Sequence, residues 1–208
     1  MAIITAYTMN IIPLFPIPVI TCDVELEESE KSFLLGQYPD RVEANRGNLT
    51  SIDTKILKNK EVKSLEKKLL FLINDAFNNI HNPQFKCKLY ITQSWLNFTG
   101  KDQFHHRHNH PNSIFSAVLY LKTTESDLIE FHNSHHNDNY EIVSNHIDIF
   151  NSGSWQIPVK DNLLLIFPST LVHSVPNVKH DSLRVSLSFN TFFKGEIGQP
   201  SGLTHLVL

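Results

Sequence analysis

The pattern of hydrophobic and polar residues divides the chain into a helical first part and a β-rich second part. Residues 24–36 carry acidic and apolar residues at near-helical spacing and predict a short helix that ends at Gly36. Residues 59–79 carry apolar side chains at intervals of three and four, with Pro83 just beyond, and predict a long amphipathic helix. Residues 37–54, rich in Asn, Asp, Gly and Pro, predict a loop.

After Pro83 the chain consists of short runs of β-branched, aromatic and aliphatic residues separated by polar turns, a pattern typical of strands. The predicted strands cover residues 86–97, 113–121, 128–131, 141–147, 154–158, 162–167 and 184–193. About seven or eight strands in a chain of this size predict a sandwich or barrel fronted by helices.

A chain of 208 residues can bury one sizeable core, so we expect a single domain over residues 1–208. Within it, residues 1–83 form an extended N-terminal segment and supporting helices, residues 84–194 form the β-rich core, and residues 195–208 form a C-terminal tail. The apolar residues 11–20 include three prolines and lack a basic start, so they predict an extended segment on the core rather than an export signal.

Charge and cysteine content exclude several classes of function. A formal charge of -3 with mixed signs gives no reason to expect a nucleic-acid groove or a membrane as the main partner. Cys22 and Cys87 form no Cys-x-x-Cys pattern, which argues against a disulfide framework or a thiolate zinc site and indicates a cytoplasmic location. Histidine is the informative excess, with seven of the twelve between positions 105 and 136.

The histidines concentrate just before the predicted strand at residues 113–121. Side chains two apart in an extended segment point to the same side, so His108 and His110 can reach one metal ion, and His106 shares that parity. A third ligand is available from His173, which follows a later apolar strand and a turn. Imidazole ligands suit iron(II), zinc, copper or nickel, so ligand type alone does not choose the metal.

A row of polar residues on the last predicted strand narrows the choice of metal. Four residues of one parity alternate with apolar ones: Arg184, Ser186, Ser188 and Asn190. A guanidinium on an apolar strand is costly unless a carboxylate meets it, and its planar fork suits a carboxylate. A dicarboxylate co-substrate would meet that need; a structural salt bridge is the alternative, with Asp181 as the one acidic residue nearby in sequence.

These features resemble the 2-oxoglutarate and iron(II)-dependent oxygenases, which combine a His-x-acid or His-x-His before a strand, a distal His after a Phe-Pro turn, and an Arg-x-Ser about ten residues later. The sequence is more closely similar to an uncharacterised subgroup of bacteria and phages. That resemblance spans nearly the whole chain and rests on Leu14-Phe15-Pro16, Trp95-Leu96-Asn97, His108-Asn109-His110-Pro111-Asn112-Ser113, Val118-Leu119-Tyr120-Leu121, Phe167-Pro168-Ser169 and Arg184-Val185-Ser186.

The resemblance implies a fold that is mainly β with N-terminal helices, in which residues 84–194 form a double-stranded β-helix, the jelly roll or cupin-like barrel. It implies Fe(II) as the metal, 2-oxoglutarate as co-substrate, and dioxygen together with an unknown acceptor as further substrates. The expected reaction is hydroxylation, in the cytoplasm, or in the host cytoplasm if the protein is phage-encoded. A homodimer formed through the N-terminal segment is also expected to be possible.

Carried over by position, His108 and His173 match the two histidine ligands of the family. The residues that match its co-substrate site are Arg184, Ser186, Tyr120 and Asn97. His110 is a departure, because the common triad has Asp or Glu there. Three neutral ligands leave more positive charge on the metal, which should tighten its hold on anionic 2-oxoglutarate. Asp127 and Glu130 are alternative carboxylate ligands, ranked below His110.

The remaining histidines of the cluster are expected to lie in loops or behind the ligands: His105, His106, His132, His135 and His136. Trp95 is expected in the core. Two other functions stay open. One is a cupin-type metal enzyme that does not use 2-oxoglutarate, since residues 168–177 resemble the second cupin motif, although Arg184 would then have no role. The other is a non-catalytic metal-binding barrel protein, for which His110 in place of a carboxylate would be the signature.

Overall fold

The computed structural model describes residues 9–134 and 142–208. The helices are α1 (Glu28–Leu35) and α2 (Lys63–His81), with 3₁₀ turns at Ile56–Lys58, Lys60–Val62 and Pro200–Gly202. The strands are β1 (Ile20–Asp23), β2 (Val42–Ala44), β3 (Leu49–Ser51), β4 (Cys87–Thr99), β5 (His105–His108), β6 (Phe115–Lys122), β7 (Leu128–His132), β8 (Ser154–Pro158), β9 (Leu163–Pro168), β10 (His173–Val175), β11 (Arg184–Ile197) and β12 (Leu206–Val207).

These strands form two antiparallel sheets. The major sheet has the order β1-β9-β6-β11-β4-β3-β2, with β12 added beside β11, and the minor sheet has the order β5-β10-β7-β8. From β4 to β11 the chain passes back and forth between the sheets and leaves four strands in each. This is the double-stranded β-helix of a jelly roll, so the predicted fold class is confirmed.

The major sheet has apolar side chains on both faces, each facing a different layer. Its outer face packs on the apolar stripe of α2, which includes Leu65, Leu69 and Ile73. Its inner face, with Tyr120 and Phe167, packs toward the minor sheet. Because successive side chains on a strand point to opposite faces, the apolar odd-numbered residues of β11 face α2, and its polar even-numbered residues face the space between the sheets.

The predicted long helix is confirmed, although it begins at Lys63, after the 3₁₀ turn at Lys60–Val62, and continues to His81. The short helix is also confirmed, with Gly36 as its C-terminal cap. The prediction of a loop over residues 37–54 is wrong, because β2 and β3 form a hairpin within it that extends the major sheet. Strands of three residues are too short to show an alternating pattern.

Two predictions from apolar runs are wrong for a common reason. Residues 142–147 form no strand, and Ile142 and Val143 are 73% and 90% exposed; residue 141 lies outside the described residues. In the N-terminal segment Leu14 and Phe15 are 73% and 93% exposed, so this segment does not pack on the core before Val19 and Ile20. In both places the apolar residues meet no free face of either sheet. None of the described helices is long and apolar enough to span a membrane.

Candidate active site

Three histidines meet at one end of the space between the sheets. His108 on β5 lies opposite His173 on β10 in the antiparallel register. His110 follows β5, where its backbone N–H donates to the Ser169 carbonyl at 2.9 Å. The ligand nitrogens of these three residues all lie within 4.8 Å of one another. A metal ion binds imidazole nitrogen at about 2.0–2.1 Å, so one ion fits among the three with small side-chain adjustments.

The hydrogen bonds of His108 and His173 prepare both rings for a metal. His108 Nδ1–H donates to the His106 carbonyl at 2.7 Å, and His173 Nδ1–H donates to the Leu171 carbonyl at 3.0 Å. A carbonyl oxygen can only accept, so the proton lies on Nδ1 and the lone pair of Nε2 is free for coordination. Both bonds reach the backbone two residues earlier, so the His108 ring is held by β5 itself and the His173 ring by the turn that precedes β10.

Burial keeps the three rings neutral, as metal coordination requires. Desolvation, followed by the charge of His108, lowers the pKa of His110 to about 4. Desolvation also lowers the pKa of His108, and it lowers the pKa of His173 well below its ordinary value of 6.5. The donor set is therefore ready for a cation at neutral pH.

A bulge on β5 changes which neighbouring histidine faces the cavity. His108 pairs with His173 but His105 pairs with Val175, so three steps along β5 match two along β10. The extra residue reverses the parity. His105 therefore lies in the cavity wall on β5 and not in a loop, with its ring stacked at 4.6 Å on that of His108, behind the ligands, which was its other predicted position. Nitrogens of His105, His106 and His108 also lie within 4.8 Å of one another.

Arg184 begins β11 at the other side of the cavity and is 3% exposed. Its Nη2 donates to the Leu128 carbonyl at 3.3 Å, and its Cζ lies 5.3 Å from the centroid of the Tyr120 ring. Its Nε lies 3.7 Å from Asp127 Oδ1, which is too long for a hydrogen bond. From the sequence, Asp181 was the expected salt-bridge partner of Arg184, but Asp181 accepts a hydrogen bond from Lys101 on the surface.

The two carboxylates considered as alternative metal ligands have other partners. Asp127 accepts from the backbone N–H of Thr124 at 2.8 Å and lies beside Arg184. Glu130 on β7 accepts from Ser154 Oγ at 2.7 Å. The group of close ligand atoms around His173 contains only histidines among the residues that the structure describes.

Unpaired polar atoms lie at the Arg184 end of the cavity. Across residues 9–134 and 142–208, the buried Tyr120 hydroxyl, Arg184 Nε and Asn97 Oδ1 have no hydrogen bond of normal geometry. Burial raises the pKa of Tyr120 to about 12, so its hydroxyl remains a donor. Leaving such a group unpaired costs about 1–3 kcal/mol. A carboxylate-bearing ligand would accept from the Tyr120 hydroxyl and from Arg184, whereas Asn97 Oδ1, itself an acceptor, would need a donor.

The other polar residues of β11 follow the same inner face. Ser188 Oγ accepts from Asn97 Nδ2 at 3.0 Å, and Ser186 lies beside Tyr120 on β6. Asn190 Oδ1 accepts from Ser116 Oγ at 2.7 Å. Behind Asn190, the hydroxyls of Ser116, Ser169 and Ser113 are linked at 2.8 and 2.7 Å. The role of these three serines is not visible in the sequence, because they come from separate turns and strands.

All the predicted site residues line one cavity, whose space, including its mouth, is about 410 Å³. The predicted residues in its wall are His108, His110, His173, Arg184, Ser186, Tyr120 and Asn97. Trp95, expected in the core, also lies in the wall, with its ring 5.8 Å from that of His110. His132, expected in a loop, lies on β7 and hydrogen-bonds Ser174 at 2.8 Å. His135 and His136 lie outside the described residues.

The fold matches solved structures at low sequence identity. One is a 2OG-Fe(II) oxygenase family oxidoreductase from Burkholderia pseudomallei, with 12% identity, a TM-score of 0.54 and coverage of 83% of each chain. A prolyl-4-hydroxylase from Pseudomonas putida has 13% identity and a TM-score of 0.55, over 84% of this chain and 92% of that one. HygX from Streptomyces hygroscopicus, solved with nickel, 2-oxoglutarate and hygromycin B, has 11% identity and a TM-score of 0.54, over 84% and 82%.

No curated protein matches the sequence. Residues 93–190 match the family described as "Putative 2OG-Fe(II) oxygenase". That segment runs from β4 to β11 and contains the three clustered histidines, Tyr120 and Arg184. The family match, the jelly-roll fold and the cavity agree, and the region spanning residues 93–190 resembles the 2OG-Fe(II) oxygenases.

Proposed function

We propose that the protein hydroxylates an acceptor molecule as an Fe(II)- and 2-oxoglutarate-dependent dioxygenase, with His108, His110 and His173 as the metal ligands. One observation carries the proposal: a cavity that has three neutral imidazoles at one side has a buried arginine and an unpaired tyrosine hydroxyl at the other. Iron(II) and 2-oxoglutarate, when bound, supply the chemistry that inserts an oxygen atom from dioxygen into a C–H bond.

The cavity residues have separate tasks in this proposal. Arg184 and the Tyr120 hydroxyl bind the distal carboxylate of 2-oxoglutarate, with Ser186 as a further donor on the same strand face. In this proposal Asn97 contacts the end of the co-substrate nearer the metal through the second hydrogen of Nδ2, since the first is donated to Ser188. The stacked ring of His105 supports His108 from behind. The buried apolar wall between the sheets excludes water from the reacting atoms.

The contact between Arg184 and Asp127 does not complete the hydrogen bonding of the arginine. Their separation is 3.7 Å, Nε remains unpaired, and among the described residues only the Leu128 carbonyl accepts from the guanidinium. Asp127 thus balances part of the charge and orients the guanidinium, while donors on Nη1 remain for a ligand. A purely structural salt bridge would also leave the Tyr120 hydroxyl without a function.

The test is spectroscopic. Metal-free protein is mixed anaerobically with iron(II) and 2-oxoglutarate, and the weak visible charge-transfer band of the chelate is recorded for wild type, Arg184→Ala and His110→Ala. We expect a band in wild type that is lost or needs far more 2-oxoglutarate in Arg184→Ala, and that weakens in His110→Ala. Arg107→Ala, which removes an exposed arginine from β5, is the matched control and should keep the band.

Failure of the test separates the alternatives. Iron binding without any band in the presence of 2-oxoglutarate would support a cupin-type enzyme that does not use this co-substrate. A normal band with no consumption of 2-oxoglutarate on admitting oxygen, whatever acceptor is added, would support a non-catalytic binding protein. A cytoplasmic location, a single domain over residues 1–208 and a possible homodimer remain predictions from the sequence.

A further inference from the structure

A second, wider cavity opens beside the first. It includes about 760 Å³ of space with its mouth, and it is bounded by the β2–β3 hairpin, by β4 and by the turn after β5. The two cavities share Trp95, His110 and Asn190 in their walls. A molecule bound in the wider cavity, which we call the hairpin groove, would therefore lie next to one of the proposed metal ligands.

The wall of the hairpin groove carries no formal charge. Its lining residues are Asn45, Thr50, Ser51, Thr54, Gln93, Trp95, His110, Pro111 and Asn190. A charged ligand would lose water here without meeting an opposite charge, which is costly. The groove therefore selects against ionised groups.

Several hydrogen-bonding groups of this wall have no partner within the described residues. Thr50 Oγ1 donates to the Leu96 carbonyl at 3.0 Å but keeps its acceptor lone pair. Asn45 uses only its Oδ1, which accepts from the Arg46 N–H at 2.8 Å. The side chains of Thr54 and Gln93 make no hydrogen bond to the described protein. Both donors and acceptors are thus available, as a ligand bearing several hydroxyls requires.

Asn190 and Trp95 define the end of the groove next to the metal ligands. The Asn190 side chain is 8% exposed, and Ser116 holds its Oδ1 at 2.7 Å, so Nδ2 is the group left for the cavities. The serine hydroxyls behind Ser116 limit rotation of this amide. Trp95 adds an indole ring, which offers an apolar surface to a ring-shaped ligand.

We propose that the hairpin groove is the acceptor site and that it takes a neutral, hydroxyl-rich ring compound of the sugar class, stacked on Trp95 and oriented by Asn190. This proposal rests on the proposed function for its role in turnover, but binding in the groove can be measured without metal or co-substrate. The two can therefore fail separately.

The chain offers a built-in reporter, because it contains only Trp95 and Trp155. Trp155 lies on β8, is 46% exposed and lines neither cavity. In Trp155→Phe all indole fluorescence comes from the groove. The probes are methyl glucoside, the acid methyl glucuronide and the amine methyl glucosaminide, which share one ring and differ in charge. We expect the neutral glycoside to change the fluorescence at concentrations at least about tenfold lower than either charged probe.

A matched pair of substitutions tests the charge argument. Gln93→Glu places a carboxylate in the groove, whereas Gln156→Glu makes the same change on β8, outside both cavities. In the Trp155→Phe background, Gln93→Glu should weaken binding of the neutral glycoside and strengthen binding of the amine by about tenfold. Gln156→Glu should leave the three affinities in their original order.

Several outcomes would overturn the proposal. They are the absence of any fluorescence change with the neutral glycoside, equal binding of the three probes, and tighter binding of a blocked, uncharged peptide than of the glycoside. An iron and 2-oxoglutarate band without glycoside binding would reject this acceptor class and keep the oxygenase. Glycoside binding without the band would reject the oxygenase and keep the groove.

Discussion

The two sheets contribute different halves of the site. The minor sheet carries His108 and His173 on strands of four and three residues, and their positions depend on a bulge. The major sheet carries Arg184 and its polar row on β11, a strand of 14 residues paired with β4 of 13 residues. Residues 184–190 pair with β4 without a register shift, so the alternation of side chains alone orients the polar row, whereas the short strands need extra hydrogen bonds to hold their histidines.

This difference suggests that metal binding and co-substrate binding can be damaged separately. The His108 ring is held by a carbonyl of its own strand and the His173 ring by a carbonyl of the turn before β10, whereas Arg184 is held by Leu128, Asp127 and Tyr120. Loss of one group should therefore leave the other in place. The predictions below test that separation.

The largest effect is expected from His173→Ala, which removes a ligand provided by the minor sheet. Loss of one of three nitrogens should weaken metal binding by roughly 100-fold or more, at least as much as loss of a supporting residue. Titration with zinc or iron(II), followed by metal analysis, measures the change. His132→Ala is the control, since its ring lies on the same sheet but outside the cavity wall. Full metal stoichiometry in His173→Ala would contradict the assignment.

Arg184→Met should have the next largest effect, on the other sheet. It removes charge-assisted hydrogen bonds worth about 1.5–3 kcal/mol each, so 2-oxoglutarate should bind roughly 10- to 100-fold more weakly while metal affinity is unchanged. Isothermal titration with each ligand separates these quantities.

Arg184→Met also leaves the buried Asp127 without its charged neighbour, so its melting temperature should fall. The double variant with Asp127→Asn should recover part of the stability and none of the affinity for 2-oxoglutarate. If the double variant regains that affinity, Arg184 has a structural role only.

The fold was predictable where the sequence pattern is long. The apolar stripe of α2 and the alternation in β11 extend over many residues, and both were recognised. Strands β1, β5 and β10 were missed, because three or four residues carry no measurable period. The apolar run at residues 141–147 predicts a strand, and residues 142–147 form none, because the sequence does not show whether a sheet face is free to receive them.

The site residues could be predicted where their orientation depends only on the alternation of side chains along a strand. The alternation along β11 and the His-x-His spacing identified the side chains that the structure brings into one cavity. The sequence could not decide whether His105 lies in a loop or behind the ligands, because the bulge that turns it toward the cavity has no sequence signal. Asp127 beside Arg184 was missed because the pair is 57 residues apart in the chain and only the folded jelly roll joins it. The prediction that Trp95 lies in the core is wrong for a similar reason, because its neighbours in the cavity wall are distant in the sequence.

Acid should affect the histidine half of the site. The pKa of His110 is lowered to about 4, so between that value and the ordinary 6.5 the unfolded chain binds more protons than the folded one. Metal-free protein should therefore lose stability as pH falls from 6.5 toward 4. Denaturant unfolding across this range measures the slope, which should be smaller in His110→Asn. A rise in stability on acidification would contradict the predicted direction of this change.

His110→Asp should have a moderate effect, because it creates the common triad with a carboxylate. The added negative charge should maintain or strengthen metal binding. It should lower the affinity for anionic 2-oxoglutarate by about 3- to 10-fold. His110→Asn keeps the ligand neutral and serves as the control. If the Asp variant binds 2-oxoglutarate more tightly than wild type, the charge of the triad does not set co-substrate affinity.

Tyr120→Phe should have the smallest effect, and the direction of the change in melting temperature distinguishes a binding group from a structural one. The hydroxyl is fully buried without a hydrogen bond of normal geometry in the described structure, so its removal should leave the melting temperature unchanged or raise it slightly. Binding of 2-oxoglutarate should weaken by about 2- to 10-fold, the equivalent of one neutral hydrogen bond. Stability and co-substrate affinity would then move independently at a single position of the major sheet. A fall in melting temperature with unchanged affinity would show instead that the hydroxyl supports Arg184 and does not contact the co-substrate.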